Sequence, residues 1–192
     1  MKKFELWYPI QNFKITQRFG ENQSPLYAEI GLKGHNGIDC VAAHGTPVRA
    51  AHDGVVVNAG IPDNREGYGV VLRTLEPFEY NGQEVYFKSI YWHLIPQIPV
   101  QAGQKVRVGD IIGYADNTGA SSGDHLHFGI KPQAQGEADW LWMNIEQKNG
   151  YAGSVDPVPY FNGQYAEVGG LMYRIIDAAR KVVEILKQLL KK

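Results

Sequence analysis

Apolar and polar positions divide this chain into two regimes. Between about residue 35 and residue 132, short runs rich in valine and isoleucine recur at 46–50, 54–58, 70–74, 85–91, 105–108, 111–115 and 126–130. Glycine, proline, aspartate and asparagine separate them. Many short strands punctuated by turn residues read as a β-sandwich or barrel. Upstream, 14–20 reads as a short strand ending at Gly20, and Glu21-Asn22-Gln23-Ser24-Pro25 is turn chemistry. The pattern changes after Gly169-Gly170. There Leu171/Met172, Ile175/Ile176, Ala179, Val182/Val183, Leu186 and Leu189/Leu190 recur at steps of three and four, the period of an amphipathic helix. The expectation is a mainly β protein. An antiparallel β-sandwich or barrel-sandwich-like domain spans 1–165, and a C-terminal amphipathic α-helix lies in 169–192.

A weak internal echo refines the β region. Gly45-Thr46-Pro47-Val48-Arg49 precedes Asp53-Gly54-Val55-Val56, and Gly103-Gln104-Lys105-Val106-Arg107 precedes Gly109-Asp110-Ile111-Ile112. Each is a strand, a tight turn and an apolar strand. Lipoyl and biotinyl carriers share this rhythm, but they present a lysine at the turn. The turns here carry Ala51-His52-Asp53-Gly54 and Gly109-Asp110, so a carrier role is disfavoured. From 133 to 160 the chain reads as aromatic loop, with Asp139-Trp140-Leu141-Trp142-Met143 as a short helix or cleft wall.

Composition changes this picture little. The 192 residues, 44% of them hydrophobic, suffice for one well-cored domain and a small appendage. With 19 basic and 20 acidic residues, bulk charge excludes a nucleic-acid partner. The charge is unevenly placed, however: from Leu171 onward six basic residues face two acidic ones, a net +4. The apolar face of that segment is expected to pack on the domain or a second copy. The sharper reading is contact with an anionic membrane or envelope surface. A monomer is expected. The single cysteine, Cys40, forbids an internal disulfide and reads as buried in a strand at 38–42. No 7–15-residue apolar run follows the N-terminal lysines, and none spans a bilayer.

Candidate chemistry gathers around histidine. In Asp124-His125-Leu126-His127-Phe128, a strand would project His125 and His127 from one face and anchor Leu126 and Phe128 from the other. His35-Asn36-Gly37-Ile38-Asp39 adds an imidazole and a carboxylate, both ordinary Zn²⁺ ligands, with Gly37 to bend the chain. A catalytic zinc takes three protein ligands and keeps one position open. His35, Asp39, His125 and His127 therefore leave one group spare for acid–base work. His93, in Tyr91-Trp92-His93-Leu94 at a strand end, is a fifth group. His44 and His52 sit at turns and are set aside. Tyr27, Tyr68, Tyr91, Tyr151 and Trp140 are aromatic candidates for cleft walls that core packing explains equally well.

The order His35-x-x-x-Asp39, Trp92-His93-Leu94 and His125-x-His127 within an all-β region resembles the lysostaphin/LytM-type zinc metallopeptidases, peptidase family M23. Flanking segments agree, among them Gly45-Thr46-Pro47-Val48, Ser122-Gly123 and Asp156-Pro157, so the resemblance covers roughly residues 17–161. It implies that His35, Asp39 and His127 bind Zn²⁺ and that His93 and His125 form the catalytic pair. It also implies a substrate, the stem or cross-bridge peptides of bacterial peptidoglycan, and so an extracytoplasmic place of action at the bacterial cell wall. With no signal peptide read in the sequence, the expected route there is release during phage lysis, carriage on a virion, or secretion with a leader since removed. The alternative it carries is a non-catalytic, metal-binding regulatory module. The intact His93 and His125 disfavour that alternative.

Overall fold

The computed structural model describes residues 3–60, 67–134 and 145–166, and eight positions between 175 and 187. Among the described residues up to 166, twelve strands, one short α-helix and one 3-10 turn (Val158–Tyr160) follow in order. They are β1 (Leu6–Tyr8), β2 (Ile15–Gln17), α1 (Leu26–Glu29), β3 (Ile38–Val41), β4 (Pro47–Arg49), β5 (Gly54–Ala59) and β6 (Tyr68–Thr74). Then come β7 (Phe78–Tyr80), β8 (Gln83–Leu94), β9 (Lys105–Val106), β10 (Ile111–Tyr114), β11 (His125–Ala134) and β12 (Phe161–Tyr165). The main sheet runs β2-β3-β11-β8-β6-β5-β9, with β7 added to β8. Its pairings are antiparallel throughout. Two ribbons accompany it, β4 with β10 and β1 with β12. The last is parallel, an exception to the expected antiparallel pattern.

The echo in the sequence has a structural counterpart. The two similar segments are β4–β5 and β9–β10, and neither closes into a hairpin of its own. They exchange partners: β4 pairs with β10 and β5 with β9, both antiparallel. Similar segments with similar needs satisfy each other's edges, which removes two exposed strand edges at once.

One apolar cluster joins the inner face of the main sheet to both ribbons, through Leu6, Val48, Val56, Leu72, Phe87, Ile112, Leu126 and Phe128. In β11 the alternation has the expected consequence. Leu126, Phe128 and Ile130 are fully buried, each contributing about 1.5–3 kcal/mol of burial, and the two histidines occupy the other face. Cys40 is buried as expected.

The Trp140 segment lies outside the described residues, as does most of 171–192. Of the latter, Ile175, Ile176, Ala178, Ala179, Val182, Val183, Leu186 and Lys187 are described. Their backbone is helical and their side chains are exposed. No helix among the described residues is long and apolar enough to cross a membrane.

Candidate metal centre and active site

Three chain segments build the site. β3 and β11 pair in a register that sets Asp39 directly opposite His127 and Cys40 opposite Leu126. Odd positions of the pair therefore face the site and even ones face the core. Asp39 Oδ1 lies 3.1 Å from His127 Nδ1. His35 arrives from the loop before β3. Its backbone N–H donates to the Glu21 carbonyl at 2.9 Å, and its own carbonyl accepts from Gly20 at 2.8 Å. His35 Nε2 then lies 3.2 Å from Asp39 Oδ1 and 2.9 Å from His127 Nδ1. Its Nδ1 faces the Arg18 carbonyl at 3.3 Å.

Glycine makes this approach possible. A Cβ at Gly34 would stand 2.5 Å from the Gly20 carbonyl oxygen, and one at Gly37 would stand 2.7 Å from His127 Nε2. Any larger residue at 37 would push the His127 ring.

The three atoms fit a metal. Zinc ligands at about 2.0–2.1 Å in tetrahedral array lie about 3.3 Å apart, and the triangle here has edges of 2.9, 3.1 and 3.2 Å. His35, Asp39 and His127 form one of two groups among the described residues able to hold a cation. The Asp39 carboxyl and the His127 imidazole also suit one. Burial alone would raise the Asp39 carboxyl, but hydrogen bonds from His127 and His35 and their charge outweigh it and hold it well below the usual carboxylate range. Burial pushes the His127 imidazole down, partly offset by Asp39. A carboxylate with neutral imidazoles is the form that binds metal.

The remaining two histidines adjoin this triangle. The His93 and His125 rings are 4.5 Å apart, and His125 Nε2 is 3.6 Å from Asp39 Oδ1. His125 Nδ1 is 2.8 Å from the Gly123 carbonyl, and His93 Nδ1 is 2.6 Å from the Thr118 carbonyl. A carbonyl only accepts, so each ring carries its proton on Nδ1 and leaves Nε2 bare when neutral. His93 is 8% exposed. Burial first, and then the neighbouring His127, push its pKa down to about 4.

An open cleft of about 470 Å³ leads to these groups. One wall is apolar, with Leu26, Tyr27, Ile30 and Leu32, and the other is small and hydroxylic, with Ala120, Ser121 and Ser122. Gln17 Nε2 donates to the Tyr27 hydroxyl at 2.8 Å and steadies the apolar wall.

All five predicted site residues thus meet in one place. Of the aromatic candidates, only Tyr27 lines the cleft among the described residues. Tyr91 is buried in the core, and Tyr151 packs on Phe19 at 4.7 Å. Sequence reasoning missed α1, Trp92 on the cleft floor and the serines of its far wall. For the serines a signal existed, in their place just before the His125 strand. Both discarded histidines stay outside the cleft. His44 is exposed, its Nδ1 2.9 Å from Asp116 Oδ1. His52 is buried, its Nε2 2.7 Å from the Ser89 hydroxyl and its Nδ1 donating to the Asp53 carbonyl at 2.8 Å.

Comparison with known proteins agrees with this geometry. The chain is 36% identical over 129 residues to the DD-carboxypeptidase/endopeptidase Mpg of Neisseria meningitidis, covering 66% of this chain and 26% of that protein. It is 33% identical over 135 residues to the peptidoglycan DD-endopeptidase ShyC of Vibrio cholerae, covering 67% and 27%. The chain thus spans about a quarter of the length of these curated relatives. The catalytic domain of the antimicrobial peptidase lysostaphin from Staphylococcus simulans superposes with a TM-score of 0.55 and 28% identity, over 78% of this chain and 92% of that one. The profile of peptidase family M23 matches residues 33–138, a span that contains all five site residues. The chain belongs to peptidase family M23.

Proposed function

We propose that this chain is a zinc-dependent endopeptidase that hydrolyses peptide bonds in the stem or cross-bridge of bacterial peptidoglycan. The observation that carries the reading is the compact His35–Asp39–His127 triangle with two further imidazoles beside it. The name of one relative, the peptidoglycan DD-endopeptidase ShyC, supports wall peptides as the substrate class.

In this reading His35 Nε2, Asp39 Oδ1 and His127 Nδ1 hold the metal. When bound, zinc supplies Lewis-acid chemistry, polarising a peptide carbonyl and making water acidic enough to ionise near neutral pH. The chain's own residues do the rest. The cleft orients an extended peptide between its apolar and hydroxylic walls. His93, deeply set and neutral, offers Nε2 as the acceptor for the proton of the attacking water. His125, with 19% of its side chain exposed, lies at the open side of the site. With a proton on Nε2 it donates to the departing amine or to the oxyanion. Burial of the Asp39–His127 pair strengthens these interactions, because little water competes there.

The test is hydrolysis of purified peptidoglycan, followed by mass spectrometry of the released peptides. A His93→Ala protein that keeps its zinc should release almost none. If it digests walls as fast as the parent, His93 has no catalytic part; if the zinc-loaded parent itself releases nothing, a non-catalytic role for the fold is the better reading.

The tail supports a further part of the proposal. Its net charge of +4 and the exposure of Ile175, Ile176, Val182, Val183 and Leu186 suit an interfacial helix on an anionic membrane or envelope surface. There it would concentrate the enzyme beside its substrate, as an appendage to the domain over 1–165.

A further inference from the structure

His93 is the extra residue of a β-bulge. Between β6 and β8, Gly69 pairs with Trp92 and the adjacent Tyr68 pairs with Leu94, so His93 has no partner across the ladder. Its φ is +62°, a left-handed conformation that costs a side-chain-bearing residue about 1 kcal/mol or more. Bulges of this kind re-aim a side chain at the edge of a site. Such a conformation persists only where its surroundings hold it.

Asp116 N–H holds the His93 carbonyl at 2.7 Å, and a second residue holds both the gap and the ring. The Thr118 hydroxyl donates to the Leu94 carbonyl at 2.8 Å and accepts the Tyr68 N–H at 3.2 Å. Tyr68 and Leu94 are the two residues that face each other where the ladder is interrupted. The hydroxyl therefore bridges the gap that the bulge opens. The carbonyl of the same residue receives His93 Nδ1–H at 2.6 Å. Gly67 lies so close that a Cβ there would stand 2.4 Å from the Thr118 carbonyl carbon. Thr118 does not line the cleft, so it is not placed to touch substrate.

We propose that Thr118 is a positioning residue for the reaction: its hydroxyl latches the bulge that throws His93 into the site, and its carbonyl selects the tautomer that leaves Nε2 bare. The inference rests on His93 acting in the proposed hydrolysis. The latch itself is a property of the fold and can be read without turnover.

The experiment compares the zinc-loaded wild type, Thr118→Val and Thr118→Ser on a soluble cross-linked stem peptide, with ¹⁵N NMR of the histidine side chains. Valine keeps the shape and removes the hydroxyl. Its kcat should fall about 10- to 100-fold, with KM and zinc stoichiometry unchanged, and serine should restore most of the loss. The wild type should show His93 protonated at Nδ1 and bare at Nε2. The proposal is overturned by a valine variant with wild-type kcat, by a serine variant as slow as the valine one, or by a wild-type His93 protonated at Nε2. Should the valine variant fail to fold, serine kinetics and the wild-type tautomer still decide. Should the wild type cleave no peptide, the functional reading fails, and the tautomer alone judges the latch.

Discussion

His125 and His127 sit two positions apart on one strand face, yet their surroundings give them different tasks. His127 Nδ1 belongs to the triangle with His35 and Asp39, whereas His125 is turned by the Gly123 carbonyl so that Nε2 points toward it. Replacing each with alanine should separate the two. His127→Ala should lose bound zinc, measured by elemental analysis after dialysis, and with it all turnover. His125→Ala should keep stoichiometric zinc and lose about 10²- to 10⁴-fold in kcat. Gly37→Ala provides a subtler case, since its Cβ would stand 2.7 Å from the ring of His127. The predicted result is weaker zinc binding, by about 10-fold or more, in a protein that still folds. An affinity equal to the parent's would mean that the loop yields and the ring does not.

At this scale much of the site was legible in the sequence. The spacing of His125 and His127 implies a shared strand face, and His35 and Asp39 stand four apart; that the two pairs share one metal was read from the family resemblance. The bulge at His93 was not legible, because nothing in Tyr91-Trp92-His93-Leu94 announces a left-handed backbone at a histidine. That conformation is held in part by Thr118, twenty-five residues away in sequence.

Strands carry these residues, and hydrogen bonds between side chains pin the strands. His52, between β4 and β5, reaches the Ser89 hydroxyl of β8 at 2.7 Å; that hydroxyl lies 3.1 Å from the Tyr91 hydroxyl, which accepts the Ala51 N–H at 2.9 Å. Burial pushes the His52 imidazole down to about 4, below its value of about 6.5 in an unfolded chain. Between these two values the unfolded chain takes up a proton that the folded one refuses. Stability should therefore fall as pH drops from about 6.5 toward 4, by up to ~1.4 kcal/mol per pH unit from this group, and should not respond to His52 above about 7. Urea unfolding at about pH 7 and pH 5 measures this. A His52→Gln variant should show a smaller loss between the two. An equal loss in both proteins would place the acid sensitivity elsewhere.

Strand placement was largely readable from alternation, and the Gly-x-x-Val-Arg echo marked two similar strand–turn–strand segments; that each strand pairs with the other segment and not within its own was not legible. The elements missed are those whose stability is tertiary. Three-residue β1 and five-residue β12 are held by pairing with each other across almost the whole chain. Four-residue α1 is too short for a helical period to register.

At the scale of the whole chain, residues 1–170 are mildly acidic, with a net charge of −5, and the segment from Leu171 onward is cationic, with a net charge of +4. That asymmetry makes a prediction about location separate from chemistry. Removing residues 171–192 should leave zinc content and cleavage of a soluble peptide unchanged. It should abolish sedimentation with vesicles containing anionic lipid at low salt, and the intact chain should also lose that association at high salt. Equal vesicle binding by both forms would remove the tail from the account.

The central claim is that the buried triangle of His35, Asp39 and His127 holds the metal on which wall hydrolysis depends. It is tested most directly by stripping the purified protein of metal and measuring peptide release from peptidoglycan before and after zinc is returned. The account predicts no release from the stripped protein, full recovery near one equivalent of zinc, and no recovery for His127→Ala. Undiminished release by the metal-free protein would contradict it.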